Sequence, residues 1–248
     1  MERRHSAPVA TFFAPDPLEA GQTALLGEEV AHHMRVRRVE LGDAVRLVDG
    51  AGGRALGTLR RLAKGSAHVE VGAQVEHVPH PVDIHLLVPV ADRDRMLWLA
   101  EKVTELGIAS WRPVAWKRSR SVSPRGEGAA FHAKVRIRMT GALEQSGGAW
   151  LPTLYPDAPV DRALVALPDG GRLLLVAGGV PLLSAMRGDD APQAPIIIAV
   201  GPEGGMEEDE VERFTAAGFR PIGLGDGILR FETAALAALA VLRASLTY

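Results

Sequence analysis

Residues 194–242 read APIIIAVGPEGGMEEDEVERFTAAGFRPIGLGDGILRFETAALAALAVL, and this stretch restricts the fold more than any other. It holds two consecutive strand–loop–helix units. Ile196–Val200 is an unbroken apolar run between Pro195 and Gly201, which suits a strand buried on both faces of a parallel sheet. The loop Gly201-Pro202-Glu203-Gly204-Gly205 follows at once. A helix is predicted over 206–217, with acids crowded into its first turns, where the macrodipole favours negative charge. Gly218 ends it. A second strand, 221–224, leads into a second loop, Gly225-Asp226-Gly227, and Ile228-Leu229-Arg230-Phe231-Glu232-Thr233 then opens an Ala/Leu-rich helix. Both loops fall at the carboxyl ends of predicted parallel strands, where open α/β sheets bind ligands.

Glycine lets a ligand approach the backbone, or simply lets a strand turn into a helix. Charge restricts what these loops would hold. Residues 201–209 contain Glu203, Glu207, Glu208 and Asp209 and no Lys or Arg. A phosphate site wants bare backbone donors or a lysine, and neither a Walker pattern nor an intact Gly-x-Gly-x-x-Gly occurs here. A neutral or cationic nucleoside-like ligand fits better than a polyphosphate.

The chain has 248 residues, enough for a large core and for one or two domains. It has no cysteine, which excludes disulfides, thiolate catalysis and cysteine-ligated zinc and accords with a reducing compartment. No apolar run approaches the roughly 18 residues of a membrane span. The apolar patch 9–14 contains Thr11 and stops at Pro15, a poor signal peptide. The expectation is a cytoplasmic protein without a membrane partner. The net charge of −2 conceals two opposite regions. Residues 92–140 carry eleven Lys or Arg against five Asp or Glu, and residues 201–248 four against eight. Such a chain presents a basic face to nucleic acid, or merely has solvated helix faces.

Residues 1–78 read as a small β-rich domain: a short helix over 28–39, then strands over 42–48, 55–62 and 67–71 separated by glycine turns, the pattern of a small barrel or sandwich. Arg35, Arg37, Arg38, Arg46, Arg54, Arg60, Arg61 and Lys64 cluster against only Glu40, Asp43 and Asp49, a candidate phosphate-contacting surface. His32-His33 invites a metal reading, but adjacent histidines point apart on a helix and no further ligand stands at a standard spacing; no metal is expected. Val78-Pro79-His80-Pro81 reads as a linker. Over 82–248 strands alternate with helices, the mark of an α/β domain with a mostly parallel sheet: strand 84–90, helix 93–106 with Met96, Leu99, Ala100, Val103 and Leu106 on one face, strand 108–116, helix 131–145, strand 151–154, helix 160–166, strand 173–177, helix 180–186, and the two units above. After strand 108–116 comes Lys117-Arg118-Ser119-Arg120-Ser121, a basic hydroxyl-rich loop suited to gripping RNA phosphates or to solvent.

Gly-Pro-Glu-Gly-Gly after an Ile-rich strand, followed by Leu224-Gly225 and Ile228-Leu229-Arg230-Phe231-Glu232-Thr233-Ala234, resembles the SPOUT superfamily of S-adenosylmethionine (SAM)-dependent methyltransferases, and within it the family that methylates uridine N3 of bacterial small-subunit ribosomal RNA. Lys102-Val103-Thr104-Glu105-Leu106-Gly107 and Glu144-Gln145-Ser146-Gly147 extend the resemblance over most of the chain. It implies a trefoil knot in 82–248, a PUA-like RNA-binding barrel in 1–78, and a homodimer. It further implies SAM on the backbone of Val200, Gly201, Glu203, Gly204, Gly205, Leu224, Gly225, Ile228 and Leu229, with the loop after Val176 closing the pocket. The candidate RNA-binding residues, taken from the basic clusters above, are Arg35, Arg37, Arg38, Arg60, Arg61, Lys117, Arg118 and Arg120, and the substrate implied by the resemblance is 16S ribosomal RNA, naked or in an assembled subunit.

Methyl transfer to uridine N3 needs the nucleophile positioned and its proton removed. The resulting anion spreads onto the flanking carbonyl oxygens, where a cation stabilises the transition state. Arg230 is the candidate for that role and Glu203 or Glu232 for the base; an Arg230–Glu232 structural pair is the competing reading. Three positions depart from the family pattern: Gly148 and Gly227 stand where arginine is usual, and Phe231 where threonine is usual. The alternatives are an RNA-binding protein that has lost catalysis, and a methyltransferase acting on a different nucleotide. A Rossmann-type methyltransferase would place its glycine loop after the first strand, which here ends Val88-Pro89-Val90-Ala91-Asp92.

Overall fold

The computed structural model describes residues 9–121, 124–165, 167–187 and 190–246, and of Arg120 and Ser121 the backbone alone. The described chain divides into two compact units, one reaching to His80 and taking in Thr140–Leu151, the other comprising Pro81–Met139 and the residues from Pro152 onward.

The first unit holds β1 (Thr11–Phe13), β2 (Thr23–Leu26), α1 (Glu28–Val36), β3 (Ala44–Val48), β4 (Gly53–Leu62) and β5 (Ala67–His77). They form a five-stranded sheet in the order β1-β3-β4-β5-β2, antiparallel except for β1 beside β3. Alternating burial along β5 sets one face inward. Phe12, Leu26, Met34, Leu47, Leu59 and Val69 make the core there. Two register shifts between β4 and β5, at Ala55/Gly57 and Leu59/Arg61, bend the sheet. Strands β1 and β2 are additions to the expected set: three and four residues give too little alternation to read from the sequence alone.

The second unit contains β6 (Ile84–Pro89), α2 (Arg93–Glu105), β7 (Ser110–Ala115), a short 3-10 turn (Lys117–Ser121), the start of α3 (Ala129–Ser146), β8 (Thr153–Leu154), β9 (Ala158–Pro159), α4 (Val160–Val165), β10 (Gly171–Pro181), α5 (Leu182–Ala185), β11 (Ile196–Val200), α6 (Glu208–Ala216), β12 (Arg220–Gly223) and α7 (Phe231–Leu246). Its sheet is entirely parallel, in the order β12-β10-β11-β6-β7-β8, with β9 also on β7. β11 is buried at all five positions, as a central strand covered on both faces requires. On one face Trp116 stacks on Phe214 at 4.8 Å, and Phe219 meets Phe214 edge-on at 4.8 Å. Asp92 caps α2 by accepting from the amides of Asp94 and Arg95, and Gly107 (φ 69°) ends it in the left-handed conformation. Arg243 of α7 donates to the carbonyls of Val82 (2.6 Å), Leu106 (2.8 Å) and Gly107, tying the last helix to both ends of the first βα unit.

One motif carried by the resemblance has a structural task inside the first unit. Glu144, near the end of α3, is buried; its Oε1 accepts the amide of Phe13 in β1 at 2.9 Å and its Oε2 lies 3.3 Å from His33 Nδ1. Arg37 Nε donates to His33 Nε2 at 3.0 Å. This leaves the Nδ1 proton for Glu144, so both ring nitrogens are engaged within the protein. Among the described residues no cluster of three or more metal-ligating side chains exists. Burial pushes the Glu144 carboxyl above its ordinary pKa, against the opposing hydrogen bond from Phe13 and the neighbouring His33 and Arg37. A carboxyl with a raised folded pKa makes stability fall as pH climbs from the unfolded value through the folded one. Glu144→Ala strands the Phe13 amide and is expected to cost about 1–3 kcal/mol. Glu144→Gln keeps an acceptor, costs less, and does not titrate. Urea unfolding at about pH 4 and about pH 7 should therefore show the margin of wild type over Glu144→Gln shrinking at the higher pH; a constant margin would reject the raised pKa.

Candidate functional site

Adjacent parallel strands β12, β10 and β11 end on the same edge of the sheet, and the chain after each contributes to one cavity of about 330 Å³. From β11 comes the 201–205 loop, from β12 the 224–229 segment, and from β10 a bulge at 176–179. β10 pairs with β12 at Leu175↔Ile222, then again at Val180↔Ile222, so the residues between leave the ladder. The sequence pattern ends this strand at 177 and begins a helix at 180. The strand in fact continues to Pro181, because a glycine pair interrupts the apolar pattern without ending the pairing. Leu175, Val176 and Ala177 wall the cavity.

Of the residues assigned to the cofactor from the sequence, Val200, Gly201, Glu203, Gly205, Leu224, Gly225, Ile228 and Leu229 line this cavity, and Gly204 does not. Pro202, Met206, Val211, Gly227, Phe231 and Ala234 complete it with Leu175–Ala177. Among the described residues Glu203 is the only charged side chain in the wall. A Cβ on Gly201 would stand 2.8 Å from Met206 Cγ, so the position admits no larger residue without displacing Met206. Gly205 has φ 77°, a conformation that favours glycine. Gly204 is exposed and backs onto Arg118, whose Cβ lies 3.2 Å from where a Cβ of its own would be. Such an apolar concavity, framed by glycine backbone and without a cation, fits a nucleoside carrying a positive or neutral tail and repels polyphosphate.

The candidate catalytic residues lie around the rim. Arg230 is exposed, and among the described residues it makes no side-chain hydrogen bond or ion pair. Glu232 does not pair with it. Glu232 is buried in the first turn of α7 with Oε1 3.9 Å from Arg95 Nε, and its Oε2 has no partner among the described residues. Arg95 also donates to Glu203 Oε1. Arg95, in the first turn of α2, is the site residue that sequence reasoning misses, since it carries no motif and lies more than a hundred positions from its partners.

The basic loop after β7 meets the acidic helix after β11. Lys117 Nζ binds Asp209 at 2.5 Å and holds its carboxyl below the usual range, and the Lys117 amide donates to the buried Glu210 at 2.8 Å. Arg118 donates to Glu207 at 2.6 Å and to the Gly204 carbonyl at 2.7 Å. Lys117 and Arg118 are thus engaged with the cavity's own loop and helix; the side chain of Arg120 lies outside the described residues. In the first unit Arg35 donates to the carbonyls of Ala63 and Lys64, and Arg60 pairs with Glu70 at 2.6 Å. Arg37, Arg38 and Arg61 are exposed. Arg38 adopts φ 57°, the left-handed cap position after α1, where glycine is usual.

Comparison with known proteins matches residues 78–243 to the family described as an RNA methyltransferase domain, and residues 26–72 to an RNA methyltransferase PUA domain. The ribosomal RNA small subunit methyltransferase E of Synechocystis is 30% identical over 237 residues, spanning 94% of this chain and 76% of the relative. Its Bacillus subtilis counterpart is 29% identical over 235 residues, 90% of each. The crystal structure of ribosomal RNA small subunit methyltransferase E from Neisseria gonorrhoeae, bound to S-adenosyl methionine, matches with a TM-score of 0.81 and 30% identity, covering 95% of this chain and 97% of that one. On this likeness of sequence and fold, the chain belongs to the RNA methyltransferase family, with an RNA methyltransferase PUA domain ahead of the catalytic one.

Proposed function

We propose that this protein is a SAM-dependent methyltransferase acting on N3 of a uridine in small-subunit (16S) ribosomal RNA, as a cytoplasmic homodimer. In this reading residues 1–78 bind RNA, residues 82–248 form a knotted methyltransferase domain, and no metal takes part. The observation that carries it is the cavity at the ends of β12, β10 and β11, whose wall among the described residues is glycine backbone and apolar side chains with the charge of Glu203.

SAM supplies a methyl group on a sulfonium, a permanent cation. Glu203 is the wall residue whose charge complements that cation, and Gly201 and Gly205 leave backbone exposed to an adenosine. The protein's own work is to position the uracil and to handle its N3 proton. Arg230, exposed and next in sequence to the wall residues Leu229 and Phe231, is the cation for the carbonyl oxygens that gain charge as N3 loses its proton. The base is Glu203 or Glu232. Glu203 lines the cavity, whereas Glu232 is buried and takes no part in the wall. Membership of the cavity wall favours Glu203.

The deciding experiment offers labelled SAM with purified small subunits and with naked ribosomal RNA, and identifies the product nucleoside by mass spectrometry. N3-methyluridine is expected. Measurable SAM binding with no transfer to either substrate would leave a binding protein, the reading that the missing arginines at 148 and 227 favour. Two substitutions separate binding from chemistry. Gly201→Val should remove calorimetric SAM binding by filling the cavity and displacing Met206, and unchanged affinity would place the cofactor elsewhere. Arg230→Ala should lower kcat by about a hundredfold or more while leaving SAM affinity within about twofold; equal losses in both would make Arg230 structural.

For RNA, Arg37, Arg38 and Arg61 are exposed cations of the first unit, and Arg38 adopts a backbone conformation that costs a non-glycine residue about 1 kcal/mol. Changing all three to Gln should weaken RNA binding and lower the slope of log K against log salt by about 2. Arg60→Gln should do less, since Glu70 already neutralises it. An unaltered slope for the triple variant would put the phosphates on another face.

A further inference from the structure

Arg95 stands between two carboxylates, Glu203 of the cavity wall and the buried Glu232. Its backbone is fixed, because the amide donates to the cap residue Asp92 at 3.0 Å. Its guanidinium reaches in two directions: Nη1 donates to Glu203 Oε1, and Nε lies 3.9 Å from Glu232 Oε1. Glu203 belongs to the loop after β11 and Glu232 to the first turn of α7, next to Arg230 and Phe231. Arg95 itself is absent from the cavity wall. One planar cation therefore links the two segments that frame the cavity. A guanidinium can serve two carboxylates from different directions, which a lysine ammonium on a single stem does less well.

We propose that Arg95 is a positioning residue for methyl transfer, acting through Glu203 on the 201–205 loop and through Glu232 on the start of α7. The proposal rests on the reading that this cavity takes SAM. Without Arg95, Glu203, which is already exposed, loses the group that holds its carboxylate over the cavity. Glu232 is left buried with no cation beside it, a costly state that is relieved by moving the first turn of α7. The first effect reaches the cofactor. The second reaches Arg230, and so the chemical step.

The test uses the full-length protein with Arg95→Met, Arg95→Lys, Glu203→Gln and the double variant Arg95→Met/Glu203→Gln. SAM affinity is read by calorimetry, and kcat and KM with small subunits as substrate. Arg95→Met should weaken SAM binding by about tenfold, but by far less in the Glu203→Gln background, since partners in one ion pair do not act additively. Its kcat should fall further than its SAM affinity, with KM for RNA unchanged. Arg95→Lys should recover SAM affinity by restoring the Glu203 contact and recover kcat only in part. Additive losses in the cycle, a change confined to KM for RNA, or full recovery of kcat by lysine would each overturn the proposal, the second by making Arg95 a phosphate contact. If wild type binds SAM but methylates no RNA, the functional reading fails separately and the affinity cycle alone decides whether Arg95 holds the loop.

Discussion

The site depends on one close approach of backbone to backbone. After its bulge, β10 returns to β12 with Gly179 against Ile222 and Gly223. A Cβ on Gly179 would stand 2.5 Å from the Ile222 carbonyl carbon, and one on Gly223 would stand 2.9 Å from the Gly179 carbonyl oxygen. Neither position accepts a side chain unless the strands separate. If they separated, the 176–178 segment would lose its anchor at Val180↔Ile222, and the cavity would lose the wall formed by Val176 and Ala177. The glycines that matter most for the cavity are therefore two that do not touch it. They let three neighbouring strands end together, and the loops after β11 and β12 then face each other across a ligand-sized gap.

Electrostatics within the second unit follow from the same arrangement. The surplus of base after β7 and the surplus of acid after β11 are complementary in space, with Lys117 on Asp209 and Arg118 on Glu207 and the Gly204 carbonyl. Such pairs at the surface contribute little stability individually. Their effect is on geometry: Arg118 holds the 201–205 loop at the Gly204 carbonyl, and Arg95 holds it through Glu203. A loop of five residues with three glycines has much backbone freedom to lose on ordering a ligand. Holding it at two points beforehand reduces that loss, so acids that would repel a phosphate instead serve as anchors for the loop.

How far the sequence can be read follows from the range of each signal. β11, the two glycine loops and the alternation of strand and helix after residue 82 rest on local patterns, and they appear in the structure within a few residues of the expected limits. The N-terminal strands β1 and β2 are invisible in the sequence because their pairing partners, β3 and β5, supply the order that three or four residues cannot. The role of Glu144 enters only as part of a resemblance; its contact with the Phe13 amide spans 131 positions. Arg95 reads as one more charge on the solvent face of α2, since nothing within a helical turn of it marks Glu203 or Glu232 as partners. The Arg230–Glu232 pair, by contrast, is suggested by nearness in sequence. It does not form, because residues 231 and 232 begin a helix that turns Glu232 inward while residue 230 stays outside it.

The three departures from the family pattern are not equivalent physically. A Cβ at Gly148 would meet Leu143 Cδ1 at 3.1 Å and Ser146 Oγ at 3.4 Å, so glycine there is matched to the packing of this chain, and a longer side chain would have to move Leu143. A Cβ at Gly227 would meet nothing within 4 Å, and the residue borders the cavity, so glycine there is not imposed by crowding at Cβ. Phe231 is buried and closes the cavity with an aromatic face where a hydroxyl is usual. Losing one cation at the rim and gaining apolar wall change the site in the same direction: fewer fixed charges near a ligand that brings its own. Arg230 then remains as the exposed cation next to the cavity in this segment, and the Arg95 pairing with Glu203 and Glu232 becomes the main control on where that segment starts.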